Sequence, residues 1–68
     1  MAYRFFRLDP QGRFAGVDII EAADDRSAML QAKALCRERH LPGFELWNFA
    51  RPVGRFGVDK HAPRLTLA

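Results

Sequence analysis

The sequence predicts an α+β fold in which a three- or four-stranded antiparallel sheet packs on one helix. Two observations support this prediction. Segments rich in aromatic and β-branched residues flank a turn that contains Pro10 and Gly12, and an amphipathic segment separates them from a later aromatic segment. The order β-β-α-β, with a short fourth strand as an extension, favours a meander-like sheet. Sixty-eight residues allow one domain, which we place at residues 1–56, and residues 57–68 are expected to form a basic, flexible tail.

The first two strands are predicted to form a hairpin. Aromatic and β-branched residues recur in Ala2–Leu8 and Phe14–Glu21, where Val17 and Ile19 share one face. The intervening segment is Asp9-Pro10-Gln11-Gly12, in which Pro presets φ for a turn and Gly tolerates positive φ. Gly16 indicates a bulge or a close backbone approach within the second strand.

A helix is predicted over residues 24–39. Asp24 is a suitable N-cap, and Asp25 adds negative charge where the helix dipole favours it. At 100° per residue one stripe of small or apolar side chains emerges: Ala28, Met29, Ala32, Leu35 and Cys36. The sequence Leu41-Pro42-Gly43 is expected to end the helix, since Pro disfavours helical geometry in the residue before it.

The third strand is predicted over residues 44–49, and a fourth over 51–56, where Pro52 limits that segment to a sheet edge or a loop. Side chains alternate across a strand, so both faces of the sheet carry large apolar residues. One helix covers one face. The other face must meet the tail, a second copy or another protein, and four aromatic residues are candidates for partner binding: Tyr3, Phe5, Trp47 and Phe49.

The positive charge is concentrated near the C-terminal end. The formal net charge is +3, but residues 1–50 carry seven basic and seven acidic residues, so the excess lies in residues 51–68. Basic residues there and on one helix flank suggest weak nucleic-acid binding as an alternative function. The candidate residues for this alternative are Arg26, Lys33, Arg37, Arg51, Arg55, Lys60 and Arg64. Solvation of a charged surface is the simpler interpretation, and the neutral first fifty residues favour it.

Catalytic and metal-binding patterns are weak. Cys36 and His40 are four residues apart on the helix, but Cys36 falls within the apolar stripe, which favours a buried thiol over a reactive one. A zinc site would require Asp59 and His61 to join this pair, without paired ligand spacing. Neither a Gly-rich phosphate loop nor an acid–base pair is evident. We therefore expect no enzyme, no cofactor and no metal.

The cysteine content and the hydropathy of the sequence predict the cellular location. One cysteine cannot form an internal disulfide, which suits a reducing compartment. There is no apolar run of membrane-spanning length, and the first residues do not resemble a signal peptide. A cytoplasmic protein that does not enter a membrane is expected.

Taken in order, the sequence motifs resemble a group of small uncharacterised alphaproteobacterial proteins. The resemblance covers residues 3–56 and is carried by YRFFRLDPQGRFAGVDIIEAADD, the Ala/Leu-rich helix and FELWN. It implies a bacterial protein with the β-β-α-β pattern, and it implies no catalytic motif and no known activity. The leading interpretation is a non-catalytic protein–protein interaction module that forms a homodimer.

Overall fold

The four strands and the helix follow one another along the chain with short connections. The structure, a computed structural model, describes residues 1–57. Its elements are β1 (Ala2–Leu8), β2 (Phe14–Glu21), α1 (Asp25–Glu38), β3 (Gly43–Asn48) and β4 (Arg51–Gly57). This confirms the α+β prediction, including the fourth strand. Gly57, assigned from the sequence to the tail, belongs to β4, and the remainder of that predicted tail lies outside the described residues.

The strand order departs from a simple meander. The sheet runs β2-β1-β3-β4, with every neighbouring pair antiparallel, so β1 lies between β2 and β3. The reason is that α1 lies across one face of the sheet and carries the chain from the β2 side to the other side of β1. As a consequence β2 and β4 are the edge strands, and Pro52 lies on an edge as its missing N–H requires.

The β1–β2 hairpin closes through the predicted turn. The Gly12 amide donates to the Asp9 carbonyl at 2.8 Å, and an Asp9 carboxylate oxygen accepts from the Gln11 and Arg13 amides at 2.9 Å. Gly12 has φ of 87°, which glycine adopts without a steric penalty. The predicted irregularity at Gly16 is also confirmed, since the register shifts beside it and a Cβ there would clash with the Arg7 guanidinium.

Helix α1 begins at the predicted N-cap. The chain leaves the helix at His40, whereas the sequence indicated Leu41-Pro42-Gly43 as the terminating segment. The Asp24 carboxylate accepts from the Ser27 amide at 2.8 Å, an N-cap contact. At the other end His40 has φ of 55°, and this left-handed conformation turns the chain out of the helix before Pro42 is reached. The Leu41 amide then donates to the Cys36 carbonyl at 3.0 Å, which satisfies one of the last helical acceptors.

The core lies between α1 and one face of the sheet. The rings of Phe5 and Phe44 stack there with centroids 5.0 Å apart. The buried residues of this cluster are Tyr3, Phe5, Ile20, Ala22, Ala28, Ala32, Cys36, Phe44 and Leu46. Ala28, Ala32 and Cys36 of the predicted helix stripe are therefore buried. Met29 and Leu35 pack against the margin of the core and stay partly exposed. The small residues of α1 allow the helix to approach the aromatic sheet closely.

Three leucines at different depths test this arrangement. Leu46→Ala should lower the free energy of unfolding by about 2–5 kcal/mol, because Leu46 is fully buried and its removal leaves a cavity. Leu35→Ala should cost less than Leu46→Ala, since Leu35 is only partly buried. Leu30→Ala, on the exposed side of α1, should change stability by less than about 0.5 kcal/mol. Urea unfolding measures all three, and equal losses at Leu46 and Leu30 would contradict the assigned helix face.

Candidate interaction surface

Helix α1 covers one face of the sheet, and the opposite face carries both buried and exposed side chains: Leu8 is 1% exposed there and Phe14 56%. Residues paired across neighbouring strands point to the same side, and Phe6 pairs with Val17 on β2 and with Glu45 on β3. Alternation from these pairs defines the surface that we call the open face. Its side chains are those of Ala2, Arg4, Phe6, Leu8, Phe14, Val17, Ile19, Glu21, Glu45, Trp47, Pro52 and Arg55.

The open face is apolar mainly along β1 and β2. Phe14, Val17 and Ile19 expose 56%, 50% and 60% of their surface, which is unusual for three large apolar residues on one strand. The Phe6 and Phe14 rings stack with centroids 4.6 Å apart, so these two side chains form a continuous apolar patch across the strands. The patch is on the edge strand β2 and its neighbour, where a partner can reach it.

The Glu45 carboxylate and the Trp47 indole N–H of the open face have partners within the chain. The Trp47 indole N–H donates to one Glu45 carboxylate oxygen at 2.9 Å, and the other oxygen lies 3.0 Å from the Arg55 guanidinium. Arg4 lies over the Phe49 ring, with its guanidinium carbon 5.9 Å from the ring centroid. Burial of this face therefore leaves neither the Glu45 carboxylate nor the indole N–H without a partner.

The four aromatic residues predicted to bind a partner fall in three different places. Tyr3 and Phe5 are fully buried beneath α1, so the prediction that they lie on a binding surface is corrected. Trp47 lies half-buried on the open face. Phe49 is in the turn after β3, with φ of 56° and 77% exposure, rather than in the strand where it was predicted. Alternation shows that two faces exist, but it does not show which one the helix covers.

Sequence reasoning missed the most exposed part of the open face as a binding surface. Phe14, Val17 and Ile19 lie on β2, opposite Leu8, Phe6 and Arg4 of β1. The signal was present in the sequence, because the i, i+2 spacing of Val17 and Ile19 places both on one side of a strand. The sequence did not indicate that α1 covers the sheet face opposite these residues.

The residues predicted to bind nucleic acid do not form one surface. Arg26, Lys33 and Arg37 lie on α1, whereas Arg55 lies on the open face beside Glu45. Arg51 forms a two-point contact with Asp25, with nitrogen–oxygen distances of 2.9 and 3.1 Å. The charges of Arg51 and Arg55 are thus offset by carboxylates. Two further candidates, Lys60 and Arg64, lie outside the described residues.

Cys36 has the environment of a structural cysteine. Its side chain is buried between α1 and the sheet. Its Sγ lies 3.6 Å from the Leu41 carbonyl oxygen. Burial raises the pKa of the thiol, which opposes formation of the reactive thiolate. Among residues 1–57, no three His, Cys, Asp or Glu side chains are grouped so that they could hold a metal ion. Asp59 and His61, of the candidate zinc set, lie outside the described residues.

Asp25 joins the start of α1 to strands β1 and β4 of the sheet. Its carboxylate accepts from the Tyr3 hydroxyl at 2.8 Å and from Arg51. The hydrogen bond from Arg51 and then that from Tyr3 lower the pKa of Asp25 below its ordinary value. Burial, followed by the hydrogen bond to Asp25, raises the pKa of Tyr3, so the buried phenol remains a proton donor. Arg51 therefore has a structural role in this contact.

A comparison of the chain with protein-family models, curated proteins and solved structures found no match. Within the described residues, no helix has the length and apolarity needed to cross a membrane.

The contact of Asp25 with Arg51 and Tyr3 predicts a pH dependence of stability. Because folding lowers the pKa of Asp25 from its ordinary value of 3.8, the stabilisation is complete above that pH and is lost as the pH falls through the lower folded value. Asp25→Asn should therefore be less stable than the wild type at pH 7, and this difference should shrink below about pH 3.9. Thermal unfolding between pH 2 and 7 measures it. A difference that stays constant over that range would contradict the role of the Asp25 charge.

Proposed function

We propose that this chain is a non-catalytic protein–protein interaction module that forms a homodimer through its open face. The observation that carries the proposal is the exposure of Phe14, Val17 and Ile19 on the sheet face opposite α1. In water, contiguous apolar surface of this kind is stabilised by contact with a second apolar surface.

The segment that could have covered this face lies partly on the other side of the sheet. Val53 packs against the core beneath α1, and Phe56 stacks on Phe44 with ring centroids 5.8 Å apart. The predicted tail was one possible cover of the second apolar face; Val53 and Phe56 shortly precede it, and Val58 within it lies outside the described residues. Because Val53 and Phe56 are engaged on the helix side, they support an external partner for the open face.

A second copy of the chain fits this surface in size and charge. Two antiparallel sheets pack face to face at about 10 Å, with the inward side chains of each sheet interdigitating. In a twofold interface the same patch meets itself, so an unbalanced charge at its centre would repel its own copy. Glu45 is balanced by Arg55 within each chain, which removes that repulsion at Glu45, whereas Arg4 lies over the Phe49 ring and has no carboxylate partner among residues 1–57. A 68-residue chain also gains stability from association, because its own core is small.

Pairing through the face is favoured over pairing through a strand edge. The edge strand β4 carries Pro52, which lacks the N–H that an added strand would need. The other edge strand, β2, could add a strand through its backbone, but such pairing would leave the exposed side chains of Phe14, Val17 and Ile19 in water. We also propose a cytoplasmic location for the dimer, since the one cysteine, Cys36, is a buried free thiol that suits a reducing compartment.

Two matched charge substitutions test the proposed dimer. Ile19 on the open face and Leu30 on the outer side of α1 have nearly equal exposure, 60% and 62%. The wild type should sediment as a dimer at micromolar concentration. Ile19→Glu should shift it to monomer, because the interface would strip water from the new carboxylate, and its cross-strand neighbour Arg4 would offset only part of that cost. Leu30→Glu should leave the dimer intact.

Circular dichroism and thermal unfolding of both variants show whether each one is folded, as expected for substitutions at exposed positions. A monomeric wild type at micromolar concentration would overturn the proposal. So would an Ile19→Glu variant that remains dimeric, which would indicate association through an edge or through another surface.

A further inference from the structure

A second feature lies on the opposite side of the sheet from the open face. Between the C-terminal half of α1 and the edge strand β4 there is a groove of about 360 Å³. Its lining residues are Lys33, Cys36, Arg37, His40, Leu41 and Phe56. The volume falls at the lower end of the range for small-molecule sites, about 300–1,000 Å³. The groove shares no residue with the proposed dimer surface, so an inference about it is independent of that proposal.

The floor of the groove is apolar. Cys36 is almost fully buried, and its thiol is directed at the Leu41 carbonyl, so it presents sulfur and carbon surface rather than a free polar group. Phe56 rests on Phe44 of the core but keeps 49% of its surface exposed. A hydrocarbon chain or an aromatic ring would remove this ring face from water and gain the corresponding hydrophobic free energy.

The rim of the groove is positively charged. Lys33 and Arg37 are one turn apart on α1, so their side chains lie next to each other. Both are exposed, and neither has an ion-pair partner among residues 1–57. This distinguishes them from Arg51 and Arg55, whose charges are offset by carboxylates.

The end of α1 does not cancel this positive charge. A helix C-terminus normally presents bare carbonyls that repel anions. Here the carbonyls of Leu35, Cys36 and Arg37 accept hydrogen bonds from the amides of residues 39, 41 and 40, respectively. These three carbonyls are therefore already engaged and are not free acceptors at the groove.

We propose that this groove binds a small amphiphilic anion. The apolar body of the ligand would lie on Phe56, Leu41 and Cys36, and its carboxylate or phosphate head group would be held by Lys33 and Arg37. The apolar floor is complementary to the body of such a molecule, and the unpaired cations are complementary to its head group. A small ligand is favoured over a nucleic acid because the cations border a concave apolar site instead of continuing over a long basic surface.

The test is a titration of the full ¹⁵N-labelled chain with octanoate, octyl phosphate and 1-octanol, followed by amide chemical shifts. Octanoate or octyl phosphate should shift the amides of residues 33–41 and 56, and the tighter of the two identifies the preferred head group. Octanol, which has the same body without the charge, should bind at least tenfold more weakly. Equal binding of octanol, or shifts confined to β1 and β2, would overturn the proposal.

Two single substitutions separate a site from general electrostatic attraction. Arg37→Gln should weaken the binding of the preferred anion at least fivefold. Arg26→Gln is the matched control, since it removes one positive charge from the same helix at a position that does not line the groove. Phe56→Ala should also weaken binding, because it removes the exposed ring.

Circular dichroism confirms folding, and the half-exposed position of Phe56 makes its replacement compatible with the fold. Equal losses in Arg37→Gln and Arg26→Gln would overturn the assignment. The same conclusion would follow if a single-stranded oligonucleotide bound more tightly than both anions and depended equally on Arg26 and Arg37, since the helix flank would then bind nucleic acid.

Discussion

The packing of α1 against one aromatic face of the sheet is the interaction on which the rest of this structure depends. Tyr3, Phe5, Phe44 and Leu46 are fully buried there, and Ala28 and Ala32 allow the helix to come close to them. Since side chains alternate across each strand, the choice of that face leaves Phe14, Val17 and Ile19 on the other. The open face is therefore a direct consequence of how the single helix is used, and not a separate feature of the fold.

The charged residues divide into those that hold elements together and those that remain available. Asp25 links the first turn of α1 to Tyr3 and Arg51, and Glu45 links Trp47 to Arg55 on the open face. These carboxylates offset two of the cations that the sequence suggested for nucleic-acid binding. Lys33 and Arg37, which have no ion-pair partner within residues 1–57, lie instead on the opposite side of the molecule, beside the apolar groove. The distribution of charge thus separates two surfaces with different chemistry.

The two surfaces can act independently because the sheet lies between them. One is a largely apolar sheet face on which Glu45 and Arg55 pair within the chain, which suits the face of another sheet. The other is concave, with an apolar floor and a cationic rim, which suits a small anion. In a face-to-face dimer, the grooves of the two chains would lie on the outer sides, where both remain accessible to solvent. Association and ligand binding would then not compete for the same residues.

The sequence by itself determined the elements and their order, because local signals specify them. The Asp9–Gly12 turn, the Asp24 N-cap and the period of the α1 stripe act within a few residues, and the structure confirms each of them. The sheet order and the face that α1 covers depend on contacts between distant segments, which periodicity does not specify. For that reason Tyr3 and Phe5 were assigned to a binding surface when they belong to the core. The ion pairs of Arg51 and Arg55, and the groove beside β4, likewise exist only once the tertiary structure brings these residues together.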